Sequence, residues 1–370
     1  MEQPDGYDAC GAGCYQPFLI TGGQKIYVSP DGGDWGDGSV GAPVQTLEKA
    51  VQLAAVKRGE TGSTDTIDIV LRGGLYELQD TVRLSGITEA SGAAPLRIKA
   101  YDNEKVRLTG GKDIPLSEMT AADAAFTDQI IDPSAAPLIL QYDLKAAGIT
   151  NFGEISRRGY LISENKTAQA EVSLDGRTQQ LAAWPNEDFV GLNKIVKEGT
   201  RKAPGVDDQG AAKPSITDGC SFTVDYDRPS YWSNAGETWV SGVLGPNFFN
   251  DYYPVERFDN ATKTVYLREG AASSDYSKQF FRFENIPEEL DAPGEYYIDR
   301  TRGMLYYYPP AYAADSSKLT ISMSENDLIR LENCEYITFE NITFDGGRAS
   351  AIVGKNTDHI TIKNCDIYGF

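Results

Sequence analysis

The side chains available for chemistry in this sequence are mostly carboxylates. Its 370 residues include 54 Asp and Glu against 34 Lys and Arg, with one histidine, His359. A Ser-His-Asp triad or a His-Cys zinc site would have to use that single imidazole, and carboxylate chemistry is what remains plentiful. Two carboxyls suffice for glycoside cleavage when one is protonated and the other ionised, about 5–5.5 Å apart for retention and about 6.5–9.5 Å for inversion. The best-placed local pair is Asp345, directly after the strand-like ITF, and Asp366 on the next coil, one residue before Ile367. Solvated or turn-capping carboxylates are the alternative reading of both. Arg348, close behind Asp345, could orient a sugar or a carboxylate, or simply form a surface ion pair.

Aromatic rings are the second chemical resource, because a sugar face packs its C–H area on them. Trp184, Trp239, Phe248 and Tyr252, with Phe249 and Tyr253, could form such a platform, the NFFNDYY run being expected partly exposed. Core positions for Trp184 and Trp239 are the competing reading. Asp31, Asp34 and Asp37 lie among glycines in YVSPDGGDWGDGSVG, where calcium or tight Asx turns would both use carboxylates. The spacing does not match an EF-hand, no ligand set is readable, and no other cofactor is implied.

The formal charge of −20, with no long basic tract, argues against a nucleic-acid partner. No apolar run approaches the roughly 20 residues of a membrane-spanning helix. The opening MEQPDGYDAC has no basic stretch followed by an apolar one. Five cysteines show no metal-ligand spacing; Cys10 and Cys14 could close a small loop or remain thiols. Asn165, Asn260 and Asn341 each open a glycosylation sequon.

Positioning these groups falls to β structure. One helix is predicted over TLEKAVQLAAVKRG, with Leu47, Ala50, Val51 and Ala54 on one face, Thr46 capping its start and Gly59 ending it. From Asp65 short strand-like runs alternate with Gly and Asn turns, as a sandwich or the coils of a parallel β-helix would require. The C-terminal end separates these two, because ENCEYITFENITFDGG and KNTDHITIKNCDIYG superpose at an offset of 23 residues. Apolar falls on apolar, and Asn333 and Asn341 fall on Asn356 and Asn364, as stacked coils demand. EYYIDR and MLYYYPP read as a hairpin packing on a coil. The expected organisation is a leader over 1–24, a cap with first coils over 25–112, an inserted β-rich domain over 113–327, and resumed coils over 328–370.

YVSPDGGDWGDGSVGAPVQTLEKAVQLA resembles the opening of secreted right-handed parallel β-helix proteins, in which a first strand, a Gly/Asp loop and a helix cap the coil. AAWPN, TWVSG with NFFNDYY, DAPGEYYIDRTRGMLYYYPP and ENDLIRLENCEYITFENITFDGG resemble carbohydrate-active β-helix enzymes with an inserted β-sandwich, such as glycoside hydrolase families 120 and 141 of the pectate-lyase-like superfamily. The resemblance implies an all-β, right-handed parallel β-helix with an N-terminal capping helix and an inserted β-sandwich-like domain. It also implies a secreted or cell-surface, bacterial enzyme that degrades an oligo- or polysaccharide. In the xylosidase-like family the acid and nucleophile sit on later coils, so no catalytic residue is carried over. The chain stops at NCDIYGF within a repeat, and further C-terminal coils or a capping partner are therefore expected. PLRIKAYDNEKVRLTGG also resembles polysaccharide lyases, whose polyuronate substrates a chain at −20 attracts poorly. A non-catalytic adhesion or glycan-binding β-helix is the third class.

Overall fold

The structure, a computed structural model, describes residues 24–61, 65–87, 95–158, 167–202, 205–206, 212–213, 216–246, 250–270 and 278–370. The expected leader, with Cys10 and Cys14, and Asn165, Phe248 and Phe249 lie outside the described residues. Strands dominate, and no helix among the described residues is long and apolar enough to cross a membrane.

Strands drawn from residues 24–109 and 329–367 pair in parallel on three faces. On one face Ile26, Ile69, Ile98, Phe339 and Ile362 are successive register partners. Apolar residues therefore stack in a file, and the first four are completely buried. Truncating Phe339 to Ala would cost about 3–5 kcal/mol, because so closed a file cannot collapse around the void. A second face pairs Val82–Ser85 with the first part of Ile329–Glu340. The third joins Gly74–Glu77, Val106–Thr109, Ile342–Asp345 and Asp366–Ile367.

The 23-residue offset seen in the sequence is the register of Ile329–Glu340 against Ile352–Lys363. The corners recur with it. Asn333, Tyr336 and Asn341 have positive φ, as do Asn356, His359 and Asn364. Asn tolerates this left-handed backbone better than other side chains do, which explains its place at four of these six corners. The Asn356 side-chain amide donates to Asn333 Oδ1 at 3.2 Å.

The predicted helix forms over Leu47–Thr61, with Leu47, Ala50 and Ala54 buried against Gln24–Val28, Ile67–Leu71 and Val82–Ser85. Thr46 Oγ1 accepts from Lys49 N, as expected of its cap. Gly59 does not end the helix, which runs two residues further, since one interior glycine costs only about 1 kcal/mol. The parallel pairing also starts earlier than residue 65, because Gln24–Val28 already pairs with Ile67–Leu71.

Residues 111–322 build antiparallel sheets of four, five and seven strands, with one parallel pairing in the five-stranded sheet and two short ribbons besides. The hairpin Glu295–Asp299 and Met304–Tyr307 lies within the five-stranded sheet rather than on a coil. Its tyrosines alternate between two apolar clusters, Tyr296 and Tyr307 in one, Tyr297 and Tyr306 in the other.

Candidate functional site

Strand alternation decides which groups of the third parallel face look outward. Val106, Leu108, Ile342 and Phe344 belong to the interior, so Arg107, Thr109, Thr343 and Asp345 point away from it. In register, Arg107, Thr343 and Asp366 form one outward row, and Thr109 and Asp345 begin the next. The two acids singled out in the sequence thus share one face, but Asp366 sits level with Thr343 rather than with Asp345.

Their environments differ sharply. Asp366 is exposed, whereas Asp345 is 1% exposed beneath the four-stranded antiparallel sheet. Arg107 Nε donates to Asp345 Oδ2 at 2.5 Å. Its other nitrogens grip Asp113 at 2.7 and 2.9 Å and Thr320 Oγ1 at 2.9 Å. Burial alone would raise the Asp113 pKa, but the Arg107 hydrogen bonds and charge outweigh it and hold the carboxyl below its ordinary value. Asp345 Oδ1 is buried without a hydrogen-bond partner. Burial, then the Asp345 charge, pushes the Tyr368 phenol up to about 12, so that hydroxyl stays a proton donor through neutral pH.

Beside this cluster lies a shallow surface depression, too tight as it stands to enclose a water molecule, lined by Glu171, Val172, Ser173, Thr178, Thr320, Ser322, Gly346 and Gly369. Gly346 follows Asp345 at φ 69°, and a Cβ there would lie 2.6 Å from Gly111 N, so only glycine lets the backbone form the cleft floor. Glu171 is the one ionisable group in the lining. Burial pushes its pKa upward, and Arg158, 3.7 Å away, opposes this only in part. The cleft therefore presents a carboxyl biased toward its protonated form and hydroxyls, with the Arg158 and Arg107 guanidiniums behind its lining on Glu171 and Thr320. A second cleft, about 250 Å³, is lined by Tyr226, Asp227, Asn260 and Lys263. Lys263 and Asp227 pair there at 2.7 Å, so its charges are already matched.

The aromatic candidates do not form one platform. Trp184 is level with Phe283 and packs on Tyr226, Trp232 and Phe283 at centroid distances of 4.8, 6.1 and 6.4 Å. Trp239, level with Glu284, and Tyr252, level with Ser241, fall on the opposite face of the same seven-stranded sheet. There Tyr252 lies under Arg158, 6.0 Å from the guanidinium carbon. In the described part of the NFFNDYY run Asn250 is exposed and Tyr252 half-buried, with Asp251 and Tyr253 fully enclosed.

Arg348 is buried rather than a surface ion pair. It donates to Asn151 O and Oδ1, both at 3.0 Å, and to Glu325 Oε1 at 2.5 Å, tying the loop after Asp345 to the antiparallel sheets. The calcium reading of the Gly/Asp loop also has a local answer. Asp37 accepts from Ser39 N, an Asx turn, and Asp34 reaches across the loop to accept from Gln45 N, Thr46 N and Thr46 Oγ1. Among the described residues no group of three or more His, Cys, Asp or Glu is placed to hold a metal ion.

Arg107, Asp113, Glu171, Thr320 and Tyr368 were not legible as site residues. Glu171 carried one usable signal, an acid opening the otherwise apolar-alternating strand EVSL. Arg107 carried none, since its partner Asp345 lies 238 residues away.

No family model matches the chain. Over 90 residues it is 38% identical to pectate lyase PEL9 of Emericella nidulans, a match covering 24% of this chain and 19% of that protein. In three dimensions 88% of the chain superposes on 51% of a solved chain titled glycoside hydrolase, with a TM-score of 0.57 and 19% identity. The shared fold is thus one that a glycoside hydrolase uses. The chain spans about a fifth of the curated relative and about half of the solved one.

Proposed function

We propose that this chain is part of an exported carbohydrate-active enzyme, a glycoside hydrolase acting on a neutral or weakly charged glycan. Its parallel sheets are read as the coils of a right-handed β-helix capped by Leu47–Thr61, and residues 113–327 as an inserted β-sandwich-like domain. The cleft between them forms part of the glycan-binding wall. One observation carries the reading: the only ionisable group lining the cleft is Glu171, with a raised pKa among hydroxyls. A hydrolase needs a carboxyl that keeps its proton, and sugar hydroxyls need small polar partners. Glu171 is assigned as the proton donor, and Asp345, buried next to the cleft floor and held by Arg107, as a residue that positions that floor.

The partial match to a pectate lyase favours a second reading, a lyase on the same scaffold. Elimination from a polyuronate requires neutralisation of the substrate carboxylate, and the guanidiniums beside the cleft, Arg158 and Arg107, are already engaged by Glu171 and by Asp113 and Asp345. A screen of the full-length protein on neutral and uronate polysaccharides separates the two. Reducing ends released from neutral glycans without ultraviolet-absorbing unsaturated products support hydrolysis. Unsaturated products from a polyuronate overturn it in favour of the lyase.

A further inference from the structure

The Gly/Asp loop between the first strand and the helix carries the most exposed large hydrophobic side chain among the described residues, Trp35, at 90%. Neither the cleft nor the capping of the stack uses it. An indole left in water forgoes the burial its large apolar area would gain, so an exposed Trp on a hydrogen-bonded loop invites a ligand.

The loop that carries this indole is held by hydrogen bonds. Gly33 N donates to Pro43 O at 3.1 Å, Gly36 N to Gly33 O at 2.7 Å, and Gly38 N to Ala42 O at 3.1 Å. Asp34, immediately before Trp35, is tied to Gln45 and Thr46, and Tyr27 N donates to Gly38 O at 2.8 Å. A Cβ on Gly33 would lie 2.4 Å from Trp35 Cε2 and 2.5 Å from Nε1. Gly33, which is buried, thus lies against the Cε2–Nε1 edge of the indole, while nearly all of the ring stays in solvent. The exposed carboxylates of Asp31 and Asp37 flank it in sequence, acceptors for hydroxyl protons and repellent to polyanions.

We propose that Trp35 is a surface binding platform for a neutral pyranose chain, separate from the cleft. The proposal rests on the carbohydrate reading above and adds a second contact with the same polymer. Gln24–Val28 and Ile352–Lys363 are the opposite edges of the five-strand path, four spacings or roughly 19 Å apart. Trp35 sits by the first edge and the cleft by the last coils, so it would hold polymer without touching the reacting bond.

Affinity electrophoresis of the full chain through gels containing xylan, mixed-linkage glucan, galactomannan or polygalacturonate tests this. Wild type should be retarded by at least one neutral polymer. Trp35→Ala should weaken retardation roughly three- to tenfold, the range for losing one aromatic contact, with an unchanged melting temperature. Trp35→Phe should recover part of it, and Gly33→Ala, which displaces the ring, should lose as much as Trp35→Ala. Equal retardation of wild type and Trp35→Ala overturns the platform while leaving the carbohydrate reading standing. Retardation by polygalacturonate alone overturns the neutral-chain assignment, and no retardation by any polymer overturns the platform together with the reading beneath it.

Discussion

Arg107 and Asp345 meet at 2.5 Å across 238 residues of chain, joining a strand before the antiparallel sheets to one after them. The same guanidinium also grips Asp113 at the entrance to those sheets, so one side chain pins both edges of the excursion and the cleft floor together.

Replacing Arg107 by Leu leaves two carboxylates facing each other under a sheet. We expect about 3–5 kcal/mol of destabilisation, the usual cost of removing one partner from a buried ion pair. Arg107→Lys should recover only part of it, because an ammonium cannot serve Asp113 bidentately while reaching Asp345. Urea unfolding of the three proteins measures the difference, and an Arg107→Leu variant within 1 kcal/mol of wild type (a threshold of about one hydrogen bond) would refute the pinning role.

Glu171→Gln keeps size and hydrogen bonding but cannot release a proton. If Glu171 is the donor, turnover of a neutral glycan by the full-length protein falls roughly 10²- to 10⁴-fold, with little change in KM. Wild-type activity should decline on the alkaline side as Glu171 deprotonates, at a pH above the ordinary carboxylate range because burial raises its pKa. A variant that keeps the same alkaline limb would remove Glu171 from the mechanism.

Glu295 is fully buried and accepts from Ala183 N, Asp291 N and Ala292 N at 3.2, 3.1 and 3.0 Å. Burial pushes its pKa up to about 8, from 4.5. The folded chain therefore keeps a proton that the unfolded chain releases, and the associated stability, complete below pH 4.5, is lost as pH rises toward 8. Burial also raises Glu289 and Asp291, which add to this slope. Glu295→Gln should flatten the decline in melting temperature across that window even though it lowers stability overall; an unaltered slope would contradict the assignment.

Asn356 combines a left-handed backbone, φ 52°, with its amide bond to Asn333. Asn356→Gly keeps the backbone preference and loses the bond, whereas Asn356→Ala loses both. The order of stability should be Asn, Gly, Ala, with Ala about 1–2 kcal/mol below Gly from the cost of a Cβ at positive φ. Thermal unfolding of the pair reads this directly, and Ala equal to Gly would show that the corner relaxes out of the left-handed region.

Local and periodic features were legible before any coordinates. The helix at Leu47 followed from apolar spacing and the Thr46 cap, and the hairpin closing at Asp299 and Met304 from alternation around a turn. The 23-residue register followed because stacked strands must place apolar on apolar and Asn on Asn. Each is a relation between near neighbours or between copies of one segment, which a one-dimensional pattern records.

The site was another matter. Sequence picked Asp345 and Asp366 as a pair, yet only the fold enclosed one, left the other in solvent, and brought Arg107, Asp113 and Thr320 to the first. Trp184 and Trp239 belong to one aromatic-rich region in sequence, but strand alternation and pairing set them on opposite faces of a sheet. Arg348 looked like a surface charge until the loop at Asn151 closed over it. Composition removed nearly all histidine-dependent chemistry and left carboxylates plentiful, because the sequence has one histidine and 54 acids. Which carboxyl keeps its proton depends on water excluded by strands far apart in the chain, and only the tertiary structure decides that.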